Sequence, residues 1–207
     1  MRGILISIAK AVYFVFTFGF FKKYTVSRFG MYKSIENIFD DNSNCKVLSI
    51  SHSKNLAHIC GIKNPTFFEA NYPDQNILNL KFQDNFFDYV VSDQVFEHIE
   101  GDPQVAFDEC MRVLKPGGIA IHTTCFVLAY HGPGDYWRWT HEGLKFLSKK
   151  HQVIQCDGWG NPFIFVLGFL GLTWSKVPEW RWHPLNIICR FQWPSYSSMV
   201  WIVAKKI

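Results

Sequence analysis

The stretch Phe87–Thr124 constrains this chain more than any other. The short apolar run Tyr89-Val90-Val91 is led in by Asp88 and closed by Ser92-Asp93. Such a run predicts a fully buried strand whose carboxyl end opens onto a polar loop. A helix follows, with Asp102 at its N-cap and Pro103 at its first position, where the missing N–H costs nothing. Phe107, Cys110, Met111 and Leu114 recur at i, i+3, i+4 and i+7, one apolar stripe. Lys115-Pro116-Gly117-Gly118 stops that helix, and Ile119–Thr124 reads as a second strand. Strand, helix, turn, strand is a βαβ unit, which implies a parallel sheet with a right-handed crossover.

The rest of the chain is compatible with one α/β domain carrying an extension. It has 207 residues, 48% hydrophobic and 17% aromatic, enough for a sizeable core. The net charge of +4 is too small to suggest nucleic acid, and no nucleic-acid partner is expected. Its distribution is uneven: Arg2, Lys10, Lys22, Lys23, Arg28 and Lys33 lie in the first 33 residues, which hold no acidic residue. Within them, Ile4–Phe21 is apolar apart from Ser7, Lys10 and Thr17. No small-residue cleavage site follows, which argues against a signal peptide. The run is short for a transmembrane span and carries Lys10 inside it. A helix lying on a membrane surface fits best, and a helix packed on the domain is the alternative. The expected division is therefore 1–33, a basic, apolar N-terminal helical extension, and 34–207, the α/β domain. Six cysteines without CxxC spacing read as buried thiols in a reducing compartment, which points to the cytoplasm, at the inner face of a membrane if the extension docks there.

FDYVVSDQVFEHI, followed by the amphipathic helix and RVLKPGG, resembles the fourth-to-fifth-strand segment of class I S-adenosylmethionine-dependent methyltransferases, in particular the branch acting on small molecules, sugars and lipid-linked intermediates. The resemblance implies a Rossmann-like, seven-stranded, mostly parallel sheet with helices on both faces, and S-adenosylmethionine as cofactor. Lys46–Ser51 would be the first strand. Ser49 stands at the family's acidic strand position, and Ser51, Ser53 and Asn55 at its loop glycines, so the glycine-rich loop is degenerate. Small Ser and an Asn tolerant of left-handed backbone can partly replace glycine. Thr66–Glu69 reads as the second strand, with Glu69 at the ribose-binding position or simply a solvated strand end. Asn76, in Asn76–Phe82, falls where a carboxylate usually holds the adenine amino group, and its side-chain oxygen can accept that bond. Asp93, Gln94 and His98 follow the fourth strand and would complete the cofactor floor.

Beyond the fifth strand, His131 to Leu144 resembles a D-Y-W-R-[FW]-T-x-E-G-L segment of sugar- and lipid-related methyltransferases. Thr140 would cap a helix over 142–149. The loop leaves the carboxyl end of a central strand, where open α/β sheets bind ligands. His131 and Asp135 are the candidate catalytic bases, and Tyr136, Trp137 and Arg138 the candidate acceptor contacts. In the competing reading Arg138 pairs with Asp135 and the tryptophans pack. Val153–Gln155 and Ser198–Lys206 read as the last strands, and Pro162–Trp174 as a core or interfacial helix. No HxxxH motif or carboxylate cluster suggests a metal. The sequence thus points to methyl transfer onto a small-molecule, glycan or lipid-linked acceptor. The degenerate loop keeps a second reading open, a methyltransferase-like pseudoenzyme that serves as a binding or assembly module.

Overall fold

The computed structural model describes residues 2–207. In chain order the elements are α1 (Arg2–Thr17), β1 (Lys22–Thr25), α2 (Phe29–Ile35), β2 (Asp41–Ile50), α3 (Lys54–Ile59), β3 (Ile62–Ala70), β4 (Phe87–Asp93), α4 (Pro103–Val113), β5 (Leu114–Cys125), α5 (His141–Leu147), β6 (Gln152–Trp159), α6 (Pro162–Phe169), β7 (Lys176–Pro178), α7 (Pro184–Arg190) and β8 (Met199–Lys205).

The main sheet has the order β3-β2-β4-β5-β8-β6. The pairings β2 with β3, β2 with β4 and β4 with β5 are all parallel. At the other side, Gly117 N–H donates to the Lys206 carbonyl and Lys206 N–H to the Gly118 carbonyl, at 3.0 and 2.9 Å. The start of β5 therefore lies beside the end of β8, and β8 runs antiparallel to it. The sheet has six strands where seven were expected. Segment 71–86 contains no strand and leads straight from β3 into β4, so β3 is the edge. A further parallel strand needs a crossover of a dozen or more residues besides its own length, and this link is too short to hold both.

The βαβ unit forms as the sequence predicts. Asp102 caps α4 by accepting from Gln104 N–H at 2.8 Å, and Pro103 opens the helix. Phe107, Cys110, Met111 and Leu114 are all buried, packed with Leu48, Val90 and Ala120 of the sheet and Leu144 of α5. Each fully buried phenylalanine here contributes about 1.5–3 kcal/mol. The other sheet face is buried too, at Val47, Val91, Ile121 and Trp201, with α3 against β3 and β4. On β5, His122 bonds the Ser92 hydroxyl at 2.7 Å, and burial pushes its ring down to about 3, so it stays neutral.

The chain forms two compact units: Ile35–Gly158 with Val200–Ile207, and the chain up to Ser34 with Trp159–Met199. The N-terminal helix thus shares its unit with a late segment. Tyr13 donates to the Lys176 carbonyl at 2.8 Å, and His183 Nε2 to the Phe16 carbonyl at 3.0 Å. β1 pairs antiparallel with β7. Gly30 admits no side chain, because a Cβ would fall 1.8 Å from Trp159 Nε1. Asn161 caps α6 through Phe163 N–H and Ile164 N–H at 3.0 and 3.2 Å. Yet Phe163, Val166 and Phe169 on that helix are exposed, as are Phe14, Val15 and Phe18 on or after α1. Among the described residues no helix is long and apolar enough to cross a membrane.

Candidate functional site

Strand order decides where the site lies. β3 and β4 lie on opposite sides of β2, and their carboxyl ends open one crevice, the place where such sheets bind ligands. A cavity of about 350 Å³ occupies it, within the range of small-molecule pockets. Ile50, Ser51 and Ala70 form its floor at the strand ends. Ile77, Val95 and Ile99 supply apolar walls, and Asn76, His98 and Tyr136 a polar rim.

The turn after β2 retains a left-handed course without glycine. Ser51 and His52 have φ of 50° and 61°. Ser51 N–H donates to the Ala70 carbonyl at 3.1 Å and His52 N–H to Asn71 Oδ1 at 3.0 Å. Ser53 is buried; its hydroxyl bonds the Ile50 carbonyl and accepts from Asp93 N–H at 2.8 Å, tying this turn to the end of β4. Asn55 is exposed and already inside α3. Ser49 lies buried in β2 with its hydroxyl unpartnered. Glu69 ends β3 but points at its neighbours: Lys54 pairs with it, Asn71 Nδ2 donates at 2.6 Å and His52 Nδ1 stands 3.5 Å away. The Lys54 hydrogen bond chiefly holds its carboxyl below the usual range. Asn76 accepts from Leu78 N–H at 2.9 Å. Asp93 takes the Thr123 hydroxyl at 2.6 Å, and Gln94, at φ 58°, reaches the same hydroxyl at 3.4 Å.

The loop after β5 is stapled onto the turn that follows β4. Tyr136 and Trp137 N–H both donate to the Glu97 carbonyl, at 2.8 and 3.0 Å, and Trp137 Nε1 to the Ile99 carbonyl at 2.8 Å. Trp139 Nε1 donates to the Phe96 carbonyl at 3.1 Å, and its indole stacks on Trp137. Arg138 binds both carboxylate oxygens of Asp135 and also the Trp137 carbonyl at 2.8 Å. The Arg138 hydrogen bonds hold the buried Asp135 carboxyl down at about 2. Asp135, a candidate base, is therefore the counter-ion of Arg138, and Arg138 braces the loop. His131 N–H also donates to Asp135, at 3.1 Å. Tyr136 alone of the three expected acceptor contacts lines the cavity. Three residues are brought together that the sequence reading did not group: Glu97, His98 and His131. The adjacent Glu97-His98 pair was visible in the sequence; the separation to His131 concealed the third member.

Residues 33–122 match the methyltransferase domain family. The matched segment runs from within α2 into β5 and so includes the turn after β2 and nearly all of the βαβ unit. No curated protein matches the chain. Among solved structures, phosphoethanolamine N-methyltransferase 2 of Haemonchus contortus, in complex with S-adenosyl-L-methionine, is 16% identical with a TM-score of 0.54, covering 85% of this chain and 52% of that one. A Haloferax volcanii protein solved with the Trm112 methyltransferase activator is 16% identical at a TM-score of 0.51, covering 86% and 95%. The cyclase SpnF is also 16% identical at 0.51, covering 87% and 80%. These likenesses show a Rossmann-like α/β methyltransferase fold. The cyclase among them shows that this fold alone does not name the reaction.

Proposed function

We propose that the chain is an S-adenosylmethionine-dependent methyltransferase acting on a small-molecule, glycan or lipid-linked acceptor at a membrane surface. The observation that carries this reading is the cavity at the carboxyl ends of β2 and β3, lined mostly by the segment that matches the methyltransferase domain family. Its residues fit the cofactor. Ile77, Val95 and Ile99 suit a flat apolar base, Asn76 offers polar groups on the rim, and the left-handed Ser51 brings backbone close to the ligand. The cofactor supplies, when bound, a methyl group on a sulfonium. Ser51, Asn76 and His98 would hold it; Ser53, Asp93 and Gln94 would hold the loops that surround it. Positioning provides most of the acceleration in such a displacement. Tyr136, which lines the cavity, would contact the acceptor. His98 stands on the rim and His131 beside it, with Asp135 behind His131.

The pseudoenzyme reading is favoured by one observation: Glu69, the expected ribose acceptor, is occupied by Lys54 and Asn71. Thermal unfolding separates the two. S-adenosylhomocysteine at 100 times its Kd should stabilise the protein by about 2.7 kcal/mol, seen as a raised Tm. Asn76→Ala should shrink that shift. No shift at millimolar ligand would sink the enzyme reading.

A further inference from the structure

The arrangement of Glu97, His98 and His131 goes beyond what methyl transfer needs. Their ligand atoms all lie within 4.8 Å of one another. The partners of the two rings orient them. His98 Nδ1 lies 2.7 Å from the Gly134 carbonyl oxygen, which can only accept, so Nδ1 carries the hydrogen and Nε2 the lone pair. His131 Nδ1 lies 3.3 Å from Asp135 Oδ2, the carboxylate that Arg138 also binds, and this turns the ring's Nε2 towards His98. The two Nε2 atoms face each other across 3.3 Å, with the ring planes at 83°. A hydrogen on one of them would join the rings directly; the alternative species is a cation held by both lone pairs.

Distance and surroundings identify that species. A charge-assisted hydrogen bond through a shared proton would draw the nitrogens to about 2.7–2.9 Å. Two metal–nitrogen bonds of about 2.0–2.1 Å opened at the tetrahedral angle set them about 3.3 Å apart. Glu97 is only 1% exposed, and its carboxylate takes one side-chain hydrogen bond, from the Thr124 hydroxyl at 2.8 Å. Among the described residues no Lys or Arg pairs with it, which leaves the carboxylate open to a bound cation. Each of the three groups also has the outer partner that metal ligands keep: Gly134 behind His98, Asp135 behind His131 and Thr124 behind Glu97.

We propose that Glu97, His98 and His131 bind a divalent transition-metal ion, zinc foremost. Two imidazoles and one carboxylate suit zinc, cobalt or nickel over magnesium. Three protein ligands leave a position for a water or an acceptor oxygen, and His98 and Gly134 line the cavity from which it would enter.

The test uses the untagged full chain, freed of metal by a chelator, titrated with Co²⁺ by visible absorption and then displaced by Zn²⁺. It needs no methyl transfer, so its outcome is independent of the reading above. One equivalent should bind, and millimolar Mg²⁺ should not compete. His98→Gln and His131→Gln should each weaken binding by more than the roughly 10- to 100-fold that loss of an outer partner costs, while His141→Gln at the start of α5 leaves it unchanged. If a variant fails to fold, metal-dependent ¹⁵N shifts of the two histidines in the unmodified protein decide instead. Absence of a Co²⁺ band, binding that survives both substitutions, or a proton shared by the two rings with no response to metal would each overturn the proposal.

Discussion

At the scale of single residues, Asp135 shows how one side chain can be removed from chemistry and put to work in structure. Its carboxyl is held near 2 chiefly by Arg138, against 3.8 ordinarily. A depressed carboxyl contributes stability that is fully present above the unfolded value. That contribution is lost as pH falls from about 4 towards 2. Asp135→Asn should therefore cost roughly 2 kcal/mol at neutral pH. It should also flatten the acid limb of stability between pH 4 and 2, followed by urea denaturation across pH. An unchanged acid limb would mean that the Arg138 pair contributes nothing net to folding.

At the scale of elements, the turn from β2 into α3 shows a backbone course outlasting the residue type that favours it. Ser51 and His52 hold left-handed conformations because Ala70 and Asn71 anchor their N–H groups. A non-glycine residue there costs about 1–2 kcal/mol per residue, part of which glycine's greater unfolded freedom offsets. Ser51→Gly should thus raise stability by about 0.5–1 kcal/mol, measured by denaturant midpoint. It should also enlarge the S-adenosylhomocysteine shift, since Ser51 lines the cavity. A loss of stability would show that the serine side chain contributes more than its backbone strain costs.

At the scale of the whole molecule, charge and apolar exposure divide between the two units. The unit built from the chain up to Ser34 and Trp159–Met199 holds nine Lys and Arg and a single carboxylate, Glu179. That Glu pairs with Lys33 at 2.8 Å. The same unit exposes Phe14, Phe18, Phe163, Trp174 and Trp182. Apolar burial and attraction to anionic lipid reinforce each other, and exposed tryptophans favour the interface. Anionic vesicles should therefore retain the full chain in a flotation assay, less so at high salt. Phe14→Ser with Phe18→Ser should weaken retention without lowering Tm, because both side chains are exposed. Equal binding to neutral vesicles, or none to anionic ones, would count against membrane docking.

Features that depend on a few neighbouring residues are legible in the chain alone. The cap and stripe of α4, the buried run of β4 and Thr140 capping α5 through Gly143 N–H at 3.0 Å are all written locally. Capping bonds span three residues and apolar periodicities span two turns, so no tertiary information is needed. The family resemblance rested on the same stretch. Tertiary structure alone decided the six-strand count, because only the pairing shows β3 as an edge. It alone joined the N-terminal helix to Trp159–Met199, through contacts as distant as Phe16 to His183. It alone set His131 against His98, 33 residues away, while holding it on Asp135. That meeting is made where two loops leave the carboxyl ends of adjacent strands, and strand order is a property of the sheet that no local segment encodes.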